Sequence, residues 1–346
     1  MVKCIGSGGF EQYFALFAGK AYAIFALLFG FTFYMQSNNQ KKQGKDFGYR
    51  FLWRLALLGV FATWNAAFFP AGDVLLLFVV VGVVLFLTRS WSDRAIGVAA
   101  VVLLLQPVEW YHYIANLINP AHRLPDLKVA EMYGEVADYT KAGNWRDFLL
   151  GNVTLGQKAS FLWAVNAGRF VQTAGLFLLG FFIGRKQLFM TNEKNIAFGT
   201  KVLIISAISF APLYTLKELV MENDPIVQQT VGTAFDMWQK LAFTLVLVAS
   251  FILLYQHKNF SKAVAGLRFY GKMSLTNYIS QSIIGVFIYF PIGLNLAPYC
   301  GYTLSLSVGF LIFLLQLRFC KWWLARHKQG PLEYIWHKCT WIGTGK

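Results

Sequence analysis

Nine blocks of predominantly apolar residues, most of them near membrane-helix length, alternate with polar connectors through this 346-residue chain. A bilayer core asks for roughly 20 such residues in a helix. Only helices or closed barrels satisfy every backbone group there. The blocks lack the apolar–polar alternation of barrel strands, so the pattern predicts helices. They fall at about 12–36, 51–69, 72–88, 95–117, 161–184, 196–216, 231–255, 273–293 and 299–320. Pro212 is expected to kink the sixth near its end. The fold class that follows is all-α: one polytopic transmembrane helix bundle over 1–346, with about nine spans.

The charges sit in the connectors and are shared unevenly. Segments 37–54, 89–94, 185–194, 257–272 and 318–346 hold 20 Lys+Arg against 4 Asp+Glu. The alternate set, 1–10, 70–73, 118–160, 217–229 and 291–301, holds 7 against 9. Cytoplasmic loops carry the excess of cations. That rule puts the first set inside, the N-terminus outside and the C-terminus in the cytoplasm. The chain is 57% hydrophobic and 14% charged, with a net charge of +15; soluble domains are nearer 25% charged. The loop bias accounts for the net charge, so no nucleic-acid partner is called for. The partner that composition demands is a lipid bilayer.

One connector is long. Residues 118–160 read as an extracytoplasmic loop with one or two short helices, either functional or simply resting on the interface. After Pro331, Leu332, Ile335, Trp336 and Cys339 recur at helical spacing, so the tail 328–346 reads as a cytoplasmic interfacial helix. Cys4, Cys300, Cys320 and Cys339 form no CxxC pair and no metal spacing with histidine. Neither metal nor cofactor is expected; a Cys4–Cys300 disulfide on the outer face stays open. The GSGG run at 6–9 is too short for a phosphate loop, and no cleavable signal peptide is visible.

Chemistry is sought in the ionisable residues of the spans, which are costly there and line cavities or pair with one another. Span one carries Lys20, span two Asn65, and span three opens with Asp73. Gln106, Glu109 and His112 share one face of span four; Asn166, Arg169 and Thr173 share a stripe of span five. Asp236 and Lys240 form an i,i+4 pair in span seven. With the loops oriented as above, all fall in the outer half, which predicts a water-accessible hollow open to the outside. Plainer readings stand beside it. Asp236 and Lys240 neutralise one another, Lys20 and Asp73 reach the headgroups, and Glu109 and His112 belong to an aromatic belt with Trp110, Tyr111 and Tyr113. Arg169, deep in an apolar span, asks for a carboxylate, an anion or water. As an enzyme site, the set assigns proton transfer to Glu109 and His112 and an anionic group to Arg169. In span eight Ser274, Asn277 and Gln281 read first as polar glue between helices and second as substrate-lining groups.

GKMSLTNYISQS at 271–282, WWL at 322–324 and GPLEYIW at 330–336 resemble the YeiB-like family of multi-pass bacterial membrane proteins of uncharacterised function. KAYAIFALLFGFTF at 20–33, Arg54, Asp73 with Gly82, and Arg169 followed by LLG at 178–180 extend the resemblance over most of the chain. It implies the bacterial cytoplasmic (inner) membrane. It also implies candidate site or structural roles for Lys20, Asp73, Arg169, Asn277, Gln281 and Glu333, with Gly330, Pro331 and Leu332 completing the last motif. Family members begin with one further span bearing an Asp and an Arg-Gly pair. This sequence starts without it, and the outside N-terminus is what such an upstream span would leave; the alternative is translocation of a short tail.

The family is distantly similar to membrane acyltransferases that acetylate sugars across a bilayer. By that likeness an acyl donor enters from the cytoplasm and an envelope acceptor sits outside. The runner-up is a permease for a small solute; the third reading is a non-enzymatic scaffold.

Overall fold

A computed structural model describes residues 19–342, and among them every regular element is a helix. In chain order they are α1 Lys20–Lys41, α2 Gly48–Phe68, α3 Leu75–Leu87, α4 Asp93–Leu104, α5 Pro107–Ile118 and α6 Val129–Lys141. Next come α7 Trp145–Asn166, α8 Arg169–Arg185, α9 Glu193–Val220 and α10 Pro225–Tyr255. Last are α11 Lys258–Ala263, α12 Leu267–Lys272, α13 Ser274–Tyr289, α14 Tyr302–Leu324 and α15 Pro331–Thr340. α7 and α10 each contain a π-helical turn, at Asn152–Gly156 and Gln228–Gly232.

Four helices, α2, α9, α10 and α14, are long and apolar enough to cross a membrane. The count rises to six if the bent pairs α4–α5 and α7–α8 are one crossing each. Of the other three expected spans, two are short helices and one is described only in part. α3 has 13 residues and α13 has 16, roughly 20 and 24 Å of helix at 1.5 Å per residue. α1 turns polar from Gln36 in the run QSNNQK, and 12–18 lies outside the described residues.

Two expected spans are not single straight helices. The fourth breaks after Leu104, where Gln106 takes φ 59 and Pro107 opens α5, and its halves meet at 49°. The fifth breaks at Gly168, whose φ of 62 suits a residue without Cβ. α7 and α8 meet there at 76°, so Phe161–Asn166 belong to α7 and only Arg169–Arg185 forms the inner helix. Pro212 lies within α9, which continues to Val220.

α8 is the axis of the bundle: 12 of its 17 residues are buried, so protein surrounds it. It packs on α1, α4 and α3. Against α1 the backbones touch. A Cβ on Gly30 would lie 1.9 Å from the Phe177 carbonyl oxygen, and one on Gly180 1.9 Å from that of Leu27. Small residues let apolar helices approach this closely, where dispersion contacts have to replace a hydrophobic driving force. Phe78 and Phe29 flank Phe177 at 5.1 and 4.8 Å between ring centroids, and Phe33 meets Phe51 at 4.4 Å. α9 buries only Ser206, and α14 only Gln316 and Cys320; their apolar faces point outward.

The ends of the bundle differ. At one, Arg185 donates to the carbonyls of Trp91 and Arg89 and pairs with Asp93, which also pairs with Lys186. α15 docks on the same end through Arg50 to the Thr340 carbonyl, Trp53 to that of Cys339, and Trp336 to that of Arg54. At the other end α6 and α7 cover the ends of α2 and α13. Asn152 donates to the Ala67 carbonyl, Tyr133 to that of Ala71, and Phe148 packs on Phe290. Burial pushes the Tyr139 phenol up to about 12, so it stays a neutral donor to Asn152 Oδ1.

Candidate functional site

Arg169 opens α8 immediately after the left-handed Gly168, with both residues buried at the α7–α8 elbow. The guanidinium lies 4.5 Å from the Tyr22 ring and 5.3 Å from the Trp163 ring. Aromatic faces hold the flat cation without neutralising it. Thr173, one turn on, donates to the Arg169 carbonyl at 2.5 Å. Its proton thus engaged, Thr173 is left to accept from the Tyr22 hydroxyl. Tyr22 therefore ties α1 to α8 beside the cation.

Arg169 and Asp73 line one small cavity of about 20 Å3, with Gln157, Ser160 and Trp163. That space holds one water-sized group. They make no ion pair with each other. Asp73 instead accepts from Asn65 Nδ2 at 2.8 Å and from the Leu76 backbone N–H at 3.2 Å, and the Tyr278 hydroxyl reaches it. Ser160 donates to the Asp73 carbonyl at 3.0 Å, anchoring α7 to the turn before α3.

Around the start of α1 the cations gather. A Cβ on Gly19 would lie 3.3 Å from Lys240 Cδ and 3.4 Å from Arg169 Nη2. Lys240 pairs with Asp236, and Lys217 reaches the same carboxylate at 3.5 Å. Buried Lys20 lies close enough to feel Lys240, Asp236 and Lys217, with its ammonium 5.8 Å from the Phe243 ring. Lys217 and Lys240 thus share Asp236, Lys217 also reaches Glu218, and Lys20 and Arg169 lie near Lys240. α1 and α8 also start here, and their positive ends add to the field.

Glu109 approaches the same elbow from α5. Its Oε1 rests where a Cβ on Gly168 would be, 2.7 Å away, against the start of α8. Arg169 Nε, Glu109 Oε2, Gln157 Nε2 and both amide atoms of Gln106 are buried with no hydrogen-bond partner among the described residues. Such groups are rare and ask for a water or ligand.

The predicted residues thus divide. Arg169 and Asp73 share the cavity; Lys20, Asp236 and Lys240 adjoin Arg169, and Glu109 borders Gly168. His112 shares a helix face with Glu109 but hydrogen-bonds His122 at 3.0 Å. Asn166 is exposed at the elbow. Asn277 and Gln281 belong to a separate network. Asn277 donates to the Tyr270 carbonyl and contacts Cys320; Gln281 donates to the Tyr270 hydroxyl and to Gln316. Glu333, with Gly330, Pro331 and Leu332, joins α15 to α13. Tyr22, Tyr278, Ser160 and Lys217 were not singled out in the sequence. Only Lys217, a cation near a span end, left a signal there. Among the described residues no group of three His, Cys, Asp or Glu could hold a metal ion. Cys4 and the 6–9 run lie outside the described residues.

Residues 183–343 match a family described as "Protein of unknown function (DUF418)". Over 93% of its length the chain is 22% identical to the uncharacterised protein YxaH of Bacillus subtilis (strain 168), covering 79% of that protein. A segment of 89 residues, 26% of this chain, is 35% identical to 25% of an uncharacterised 39.9 kDa protein of the amylase 3′ region of Bacillus acidopullulyticus. No solved structure matches the chain.

Proposed function

We propose that this chain is a multi-pass protein of the bacterial cytoplasmic membrane that transfers an acyl group to a cell-envelope molecule at the Arg169 centre. Nine crossings are read as four full helices, two broken ones, α1, and the shorter α3 and α13, with the basic end in the cytoplasm. The loop charges support that orientation. The acyl-transfer reading draws on the likeness to YeiB-like proteins and, through them, to membrane acyltransferases.

The observation that carries the site is Arg169: a buried guanidinium between two aromatic rings, beside Asp73 in a shared cavity, with Nε unpartnered among the described residues. In this reading Arg169, Lys20 and Lys240 hold an anionic group of donor or acceptor. Glu109 takes the proton of the acceptor hydroxyl as its oxygen bonds the acyl carbon. The donor's leaving group departs with the bonding electron pair and takes up a proton. His112, paired with His122, passes protons on the outer side.

Membrane vesicles carrying the chain, given a short-chain acyl thioester labelled in its acyl group, test this. Chain-dependent label in the envelope fraction, lost in Arg169→Gln and in Glu109→Gln, is expected. Label independent of the chain, or unchanged in both variants, overturns it.

One observation favours a second reading, a permease for a small anionic solute. α4–α5 and α7–α8 are both broken near the polar centre, as in transporters whose sites lie at helix breaks. Uptake of anions by proteoliposomes without any acyl labelling would select it. A scaffold would show neither.

A further inference from the structure

A second, larger space lies apart from the cation cluster: a groove of about 400 Å3 between α1, α2, α3 and α13. Its size falls in the range of ligand sites, roughly 300–1,000 Å3. The walls are apolar, with Phe29, Phe51, Leu58, Phe78 and Leu275 prominent. Polar groups collect where α1 ends and α2 and α13 begin: Gln36, Arg54 and Ser274. That is the basic end of the bundle.

Arg54 is half-buried and lies 4.3 Å from the Trp336 ring, whose indole N–H donates to the Arg54 carbonyl. No carboxylate among the described residues pairs with it. A guanidinium in a low-dielectric mouth calls for an anion. The groove also opens sideways: Phe25 and Leu28 line it and are 41% and 43% exposed. Its occupant is therefore drawn from the bilayer. Bulky aromatic and aliphatic side chains line its walls, not the small residues that let a partner helix approach closely; a flexible hydrocarbon chain fits between them.

We propose that this groove holds one acyl chain of an anionic glycerophospholipid, with the phosphate on the Arg54 guanidinium. A neutral amphiphile leaves that charge uncompensated, and a zwitterionic one sets a second cation beside it. Where α13 leaves the groove stands Tyr278, whose hydroxyl reaches Asp73. A seated chain thus keeps water from the underside of the polar centre. The inference stands independently of the reaction proposed above.

The test uses the full chain purified in mild detergent, stripped of lipid and offered equal phosphatidylglycerol and phosphatidylethanolamine. Retained lipid is identified by native mass spectrometry. Wild type is expected to keep a single phosphatidylglycerol, preferred about tenfold, the scale of one charge-assisted hydrogen bond. Arg54→Gln is expected to erase the preference, and Leu28→Trp, at the exposed rim, to lower retention of both lipids. Equal retention of the two headgroups by wild type, no retention, or free fatty acid in place of phospholipid overturns the proposal. The wild-type competition decides it even where a variant fails to fold.

Discussion

Glu333 accepts from the backbone N–H of Thr276 at 2.9 Å and from its hydroxyl at 2.6 Å. The helix that follows Pro331 thereby caps the start of α13. Gly330 is part of the device: a Cβ there would lie 2.1 Å from Glu333 Oε2. Removing a cap costs about 1–2 kcal/mol. Glu333→Ala and Gly330→Ala should each lower the thermal midpoint in detergent. Both disrupt the same contact, so the double variant should lose little more than either alone. Additive losses would separate the two residues.

The contact of α1 with α8 should be the least tolerant place in the bundle. Gly180→Leu or Gly30→Leu puts a side chain into a carbonyl 1.9 Å away, and the helices must part. A loss of about 3 kcal/mol or more, at the upper end of overpacking, should show as failure to accumulate in membranes. Gly309→Ala is the control: nothing lies within 4 Å of its Cβ, and expression should hold or rise through helix propensity.

Arg169→Lys should behave much like Arg169→Gln. The site uses a flat cation between the Tyr22 and Trp163 rings, and an ammonium lacks both the plane and the fork. Either variant should lower acyl labelling, or anion uptake in the permease reading, by about tenfold or more. Full activity in Arg169→Lys would show that charge alone suffices there.

The Asp73 network should depend on the carboxylate's capacity to accept. Asp73→Asn places an amide donor against Asn65 Nδ2 or the Leu76 N–H. A buried donor left unmatched costs about 1–3 kcal/mol. Asp73→Asn should therefore destabilise the chain more than Ser160→Ala, which removes one hydrogen bond to a carbonyl. Urea titration of the detergent-solubilised chain ranks the two.

Orientation is tested by single cysteines in a cysteine-free background, read with an impermeant maleimide on intact cells. Gln43→Cys and Lys328→Cys, at the basic end, should label only after lysis. Asp126→Cys and Glu222→Cys should label on intact cells. All four positions are exposed. The reverse pattern would invert the proposed topology.

Much of the architecture was legible because long apolar blocks leave few options. The helical spacing of Leu332, Ile335, Trp336 and Cys339 anticipated α15, and the balanced charge of 118–160 anticipated α6 and the start of α7. The breaks were less legible. A hydropathy pattern does not register that Gly168 sits at φ 62 or Gln106 at φ 59, and those dihedrals split two apolar blocks. The candidate site was legible as a set of costly residues, not as contacts. Sharing a face with Glu109 told nothing of His112's partner, because that partner, His122, comes from the loop beyond α5.

The order of apolar and cationic segments along the chain by itself determined an all-helical build and a basic set of connectors, since both follow from local composition. Tertiary structure alone decided that Tyr22 meets Thr173, that Arg169 and Asp73 line one cavity, and that Lys217 joins the Asp236–Lys240 pair. Such meetings depend on how closely helices approach. Here that closeness rests on two glycines whose missing side chains let α1 and α8 touch.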